Sequence, residues 1–359
     1  MPPLRFLILA DGAFGPETSK TANSAIRYIP GQVAGVLDAS AAGRTAQEVL
    51  GFGGPIPVVG SLDAGLALAP TALLVGIAPR GGRLPEAWRG WIRTAIERGL
   101  DVWSGLHTRI ADDPELAALA RARGVRLREL RVPPADLPVS NGRARDVDAL
   151  VVLTVGSDCN TGKMTAQLEL LRALGARGLR TRFVATGQTG ILIAGEGIAV
   201  DAVVADFIGG AAERMVLAAA PGADVVLVEG QGSLVHPGYS GVTLGLLHGA
   251  CPAAMILCHN AARRLIGEYH PGEAWRPIPP LAELVRIYEE AAGWVQPARV
   301  IGIALNTHGL AADAAAAAVE RAARETGLPA ADPVRFGPAP LVDAVARAAG
   351  ERRAGRTPA

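Results

Sequence analysis

Gly156-Ser-Asp-Cys-Asn-Thr-Gly-Lys-Met-Thr165 decides how the chain is read. It follows the apolar, β-branched run 149–155, which suits a central strand. It leads into 163–177, where Met164, Leu168 and Leu171 recur at helical spacing. Strand, glycine-rich turn, Gly-Lys and helix is the order of a phosphate-binding loop. The glycines let backbone N–H groups approach phosphate oxygens, and the helix N-terminus adds its positive end. Gly156, Asp158, Asn160, Thr161, Gly162, Lys163 and Thr165 are therefore the expected ligand-binding set. Two features depart from the common pattern. The leading glycine stands one residue early, and Met164 occupies the place where a Ser or Thr hydroxyl holds Mg²⁺. Thr165 comes next, but on a helix it points about 100° away. Phosphate binding without phosphoryl transfer fits this loop, and coenzyme A is such a ligand.

Outward from the loop, short β-like runs alternate with helical ones, which predicts parallel sheets covered by helices. Strands are expected at 6–10, 33–37, 72–77 and 101–104, then at 182–185, 224–229, 254–258 and 299–305. Helices are expected at 21–28, 85–98, 208–219, 281–292 and 313–326. Pro133-Pro134, Pro138 and Asn141-Gly142 interrupt the alternation. The reading is a Rossmann-like N-terminal domain, 1–135, and a P-loop NTPase-like, doubly wound C-terminal domain, 136–350. The tail after Gly350 is expected to fray.

A chain of 359 residues, half of them hydrophobic, has material for two cores. Its formal charge of +1 argues against a nucleic-acid partner. The start has no signal-peptide pattern, and no apolar stretch is long enough to span a bilayer. Cys159, Cys251 and Cys258 do not form a disulfide or paired zinc pattern. A cytoplasmic setting is expected. The three thiols read as buried packing residues, and of them only Cys159 lies near the chemistry.

Asp224-Val-Val-Leu-Val-Glu229-Gly-Gln-Gly-Ser233-Leu-Val-His236-Pro237 is the second motif. Glu229 ends an apolar strand, the edge where open α/β sheets bind ligands. Gly230 and Gly232 free consecutive N–H groups to converge on an oxyanion. Glu229 and His236 are the candidate general bases, and Gln231 and Ser233 the neighbouring polar contacts. Thr186-Gly-Gln188-Thr189-Gly190 reads as a second polar loop. Asp201, Asp206 and Glu213 behind it could each position an ammonium or serve as a cap. Asn306, at a strand end, suits an adenine edge or a turn. In the N-terminal half, Lys20 and Arg27 could take substrate carboxylates or be surface charges. Asp11-Gly-Ala-Phe-Gly15 lacks a dinucleotide fingerprint.

The C-terminal half resembles dethiobiotin synthetase in residues 156–163, in Glu229-Gly-Gln-Gly-Ser233 and in Asn306. The whole chain is more similar to the D-glutamate N-acetyltransferase family. The likeness is carried by Ser19-Lys-Thr-Ala22 with Arg27-Tyr28, by 156–165, 186–190 and 229–237, and by Gly238-Tyr-Ser-Gly-Val-Thr-Leu-Gly-Leu-Leu-His-Gly249. The Met after Gly-Lys belongs to that family's pattern. The resemblance implies acetyl transfer from acetyl-CoA, as co-substrate, to the amino group of D-glutamate or a related acidic amino acid. The expected mechanism is direct transfer with Glu229 as the favoured base and no metal. The alternative is an ATP- and Mg²⁺-dependent ligase or kinase, with Glu229, Asp158 and Thr165 holding the ion. A nucleotide-gated binding module is a third reading. A homo-oligomer is expected on base rates alone.

Overall fold

Six short runs in the first third of the chain pair side by side as one parallel sheet. They are β1 (Phe6–Leu9), β2 (Val33–Leu37), β3 (Val58–Val59), β4 (Ala72–Val75), β5 (Asp101–Ser104) and β6 (Leu127–Glu129). In this computed structural model residues 3–77, 84, 86–268, 272 and 274–355 are described. The expected helix start at Pro85 and the last residues of the tail, 356–359, lie outside them. The sheet order is β3-β2-β1-β4-β5-β6, the doubly wound Rossmann order. Its helices are α1 (Lys20–Tyr28), α2 (Ala46–Leu50), α3 (Leu62–Leu66), α4 (Glu86–Glu97) and α5 (Pro114–Arg123). Local chemistry sets several of their ends. Thr45 and Glu48 form a reciprocal capping box on α2. Asp113 caps α5, Pro114 opens it, and Gly124 closes it in the left-handed conformation. This unit comprises Met1–Val132 with Ile191–Glu196.

The second unit, Pro133–Gly190 and Gly197–Ala359, has its own parallel six-stranded sheet. Its strands are β7 (Leu150–Gly156), β8 (Thr181–Val184), β9 (Val225–Val228), β10 (Ala254–Asn260), β11 (Arg299–Asn306) and β12 (Ala330–Ala331), in the order β12-β11-β10-β7-β9-β8. The remaining helices are α6 (Lys163–Ala176), α7 (Gln188–Ala194), whose residues from Ile191 on count with the first unit, α8 (Ala205–Ala219), α9 (Ser240–Ala250), α10 (Leu281–Gly293), α11 (Ala312–Thr326) and α12 (Ala339–Ala354). All seven residues of β7 are buried, and their alternation serves two cores. Val151, Leu153 and Val155 pack into one, Leu150 and Val152 into the other. Each such side chain contributes about 1.5–3 kcal/mol on burial. The chain leaves β7 for the sheet edge and later returns to its other side. The carboxyl ends of β7, β9 and β10 therefore flank a topological switch point, the place where such sheets bind ligands.

Two local expectations need correction, and one motif gains an element. Residues 186–190 are not one loop, because α7 begins at Gln188. The run 240–250, quoted above only as a motif, is helix α9. The tail does not fray directly after Gly350: α12 continues to Ala354. Arg352 ties it down by donating to the carbonyls of Val147 at 2.7 Å and Asp148 at 3.3 Å.

Candidate active site

β7 ends at Gly156, and the backbone turns at once. A Cβ at Gly156 would lie 2.7 Å from Lys163 Nζ and 2.8 Å from the Asp158 carbonyl oxygen, so the loop closes only over glycine. Asn160 (φ 52°) and Gly162 (φ 100°) are both left-handed, the curl in which successive N–H groups converge. Lys163 is only 7% exposed, and its Nζ donates to the Asp158 carbonyl at 2.9 Å and to Thr161 Oγ1 at 3.5 Å. The loop thus holds its cation inward, at the head of the 14-residue helix α6.

Distant residues brace this loop. The fully buried Asp158 carboxylate accepts from the N–H groups of Cys159 (2.7 Å) and Gly267 (3.0 Å). Arg263 lies 3.6 Å from it and donates to the carbonyls of Cys159 (2.6 Å) and Asn160 (3.2 Å). The Tyr288 hydroxyl donates to the Gly156 carbonyl at 2.7 Å and accepts the Leu234 N–H at 3.1 Å, joining the loop to the segment after β9. Ser157 Oγ meets His259 Nδ1 at 2.9 Å. Burial, with the Arg263 charge behind it, pulls the His259 imidazole down to about 4, so it is neutral at pH 7. Sequence reading missed Arg263, Gly267, Tyr288 and His259. The one available signal was the polar end of β10, which runs to Asn260, two residues past the expected strand.

Glu229 stands one residue past β9, 5% exposed. Its Oε2 accepts from the N–H groups of Thr186 (2.9 Å) and Gly187 (3.2 Å), just before α7. A Cβ at Gly190 would fall 2.3 Å from that oxygen, so Gly190 gives the carboxylate its seat. The Thr186 hydroxyl donates to the Glu229 carbonyl at 2.7 Å and accepts from Gln231 Nε2 at 3.2 Å. These bonds fix the carboxylate in place between the start of α7 and the segment after β9. Gly230 presses against β7, its N–H 3.0 Å from Thr154 Oγ1, and Ser233 is fully buried. Half-buried His236 packs on Tyr239, ring centroids 4.8 Å apart, and its Nδ1 accepts the Gly238 N–H at 3.1 Å. Burial lowers the imidazole pKa; the nearby Asp158 carboxylate opposes this and the Lys163 ammonium adds to it. His236, Asp158 and Cys159 bring one nitrogen, oxygen or sulfur atom each within 4.8 Å of one another.

Two family descriptions match this chain. The first, a domain of unknown function described as a P-loop domain, covers residues 138–342; its N-terminal companion, described as Rossmann-like, covers 39–133. The chain belongs to the DUF1611 family. A crystal structure of a DUF1611 family protein from Anabaena variabilis shares 40% identity and superposes with a TM-score of 0.90. The match covers 96% of this chain and all of that one. Among named relatives, a D-glutamate N-acetyltransferase of Tritonibacter scottomollicae is 40% identical over 293 residues, 80% of this chain and 84% of its own. A D-glutamate N-acetyltransferase of a Pseudoalteromonas species is 37% identical over 275 residues, 75% and 80% of the two chains. This DUF1611 protein is an enzyme of the acyltransferase class.

Within the second unit, the residues expected around the phosphate loop gather as one group. Asn306 joins them: its Cβ lies 3.9 Å from where a Cβ at Gly162 would stand. Its Oδ1 accepts the His308 N–H at 3.0 Å, so the turn role holds as well. Thr165 is half-buried, while Met164 is 5% exposed and offers no hydroxyl where an Mg²⁺ ligand would sit. Gln188 and Thr189 open α7, Thr189 buried and Gln188 half-buried. Glu213 does not serve as an ammonium site. It is buried under Ser140, Asn141 and Arg143, which all donate to it. In the first unit, Lys20 is exposed at the start of α1, and the Arg27 guanidinium lies 4.0 Å from the centre of the Phe52 ring.

Proposed function

We propose that this enzyme moves an acetyl group from acetyl-CoA to the amino group of D-glutamate or a closely related acidic amino acid. One observation carries the reading: the 40% identity to a D-glutamate N-acetyltransferase over 80% of this chain. The loop's chemistry supports it. CoA phosphates suit the converging N–H groups of 156–162, the head of α6 and Lys163. Gly156, Asp158, Asn160, Thr161, Gly162 and Thr165 shape that cradle, and Asn306 borders it. Buried Met164 in the metal-binding position disfavours the ATP- and Mg²⁺-dependent alternative.

An amino-acid ammonium must lose a proton before it attacks a thioester carbonyl. His236 is the favoured base here: burial lowers its imidazole pKa, and a ring nitrogen lies within 4.8 Å of Asp158 and Cys159 on the loop. Nδ1 is the basic nitrogen, since it accepts the Gly238 N–H. Glu229, with two N–H groups on one oxygen, holds the 186–190 segment against the loop after β9. With the Gly230 N–H engaged by Thr154, the N–H groups at 231–233 meet the developing oxyanion, with the Gln231 and Ser233 side chains beside them. Gln188 and Thr189, at the head of α7, are the proposed acceptor contacts in this unit. The enzyme is taken to work in the cytoplasm, as a homo-oligomer, with its three thiols reduced.

The test is thiol release from acetyl-CoA over a panel of D- and L-amino acids. Release with D-glutamate is expected. No release with any acidic amino acid overturns the reading.

A further inference from the structure

Cys159 occupies an unusual place for a packing residue. Cys251 and Cys258 are buried inside the second unit, and burial pushes the Cys258 thiol up to about 12. Cys159 is half-buried, on the bend of the phosphate loop between Asp158 and left-handed Asn160. Its sulfur shares a space of under 4.8 Å with a ring nitrogen of His236 and a carboxylate oxygen of Asp158. The same trio could be taken for metal ligands. Both Asp158 oxygens already accept N–H bonds, however, and Arg263 and Lys163 place two positive charges beside it. That field opposes a bound cation. The head of α6, four residues on, acts in the same sense.

We propose that Cys159 is the nucleophile that carries the acetyl group between acetyl-CoA and the amino acid, with His236 as its proton partner. The inference rests on the acetyl-transfer reading above and adds a covalent intermediate to it. His236 Nδ1 gives up the Gly238 N–H and takes the thiol proton. The Cys159 thiolate attacks the thioester carbonyl, forming a new carbon–sulfur bond. The bond from that carbon to the CoA sulfur breaks, and the CoA thiolate takes the proton from the imidazolium. The acceptor's free amine then attacks the S-acetyl carbon, and the Cys159 sulfur leaves as thiolate. The amine's surplus proton passes to His236 and on to the sulfur. No oxidant or further reactant is consumed. Asp158 is a positioning residue here: it fixes the bend through the Cys159 N–H.

The protein with acetyl-CoA and no acceptor should release about one equivalent of CoA thiol and gain one acetyl group in its intact mass. Peptide mapping should place a hydroxylamine-labile acetyl on Cys159. The isolated acetyl-protein should pass it to D-glutamate, and initial-rate plots should be parallel. Cys159→Ala should lose turnover by at least ~10³-fold, with CoA binding by calorimetry reporting that its loop still folds. Intersecting plots with no adduct on the parent overturn the covalent route and leave acetyl transfer standing. If the parent gains no acetyl group and releases no thiol with any acidic amino acid, both readings fall.

Discussion

His259→Asn tests whether the phosphate loop is as dry on its inner side as its contacts imply. In the parent, Ser157 Oγ sits 2.9 Å from His259 Nδ1. Burial first, and the Arg263 charge second, hold this imidazole at about 4. The unfolded chain protonates it near 6.5. Between those two values the unfolded state binds more protons, so stability rises with pH there. The contribution is complete above about 6.5 and is lost as pH falls towards 4. Each pH unit in this window costs about 1.4 kcal/mol, so by pH 4.5 the folded state loses about 3 kcal/mol. Asparagine keeps an acceptor for Ser157 and does not titrate. Hydrogen exchange of the β7 and β10 amides, followed from pH 7.5 to 4.5, reports the second unit alone. The parent should lose about 3 kcal/mol more than the variant over that range. If the two profiles run parallel, His259 ionises freely, and the inner side of the loop is wet.

Lys163→Ala should weaken CoA binding by about 1.5–3 kcal/mol, the worth of one hydrogen bond to a charged group; equal affinity by calorimetry would remove the loop from the ligand site. Glu229→Gln should lower the melting stability by about 1–3 kcal/mol through its two weakened N–H bonds, while the pH–rate profile keeps its acid limb. That limb belongs to His236, with its midpoint below the ordinary histidine value, and His236→Ala should remove it. A Glu229→Gln protein that melts like the parent yet turns over ~10²–10⁴-fold more slowly would make Glu229 the base. Gly230→Ala should prevent soluble folding, because the new Cβ would stand 1.7 Å from the Thr154 carbonyl oxygen; a soluble, active variant would refute the close packing of this segment on β7.

The site was legible wherever the chain spells it locally. A strand, a glycine turn and Gly-Lys name a phosphate loop because backbone conformation and helix end follow from neighbours in sequence. Asp113-Pro114 and Gly124 likewise announce the two ends of α5 through capping chemistry alone. The helix at 188–194 was not legible. Its first residues read as a polar loop because the turn leading into it is held by Glu229, more than 40 residues away.

Sequence by itself determined the fold class, the phosphate loop and the missing metal hydroxyl at Met164, since each depends on residue types in short, fixed spacing. Only the tertiary structure decided what each titratable group can do. Glu229 is a strand-end carboxylate in the sequence, and becomes an anchor once two N–H groups fold onto one of its oxygens. Cys159 and His236 are 77 positions apart in the chain, and share one small space because β7 and β9 are sheet neighbours. Arg263, Gly267 and Tyr288 brace the loop from more than 100 residues away. Proton affinity and reactivity depend on burial and on charges a few ångströms off, and those distances are set by how the strands return to the sheet.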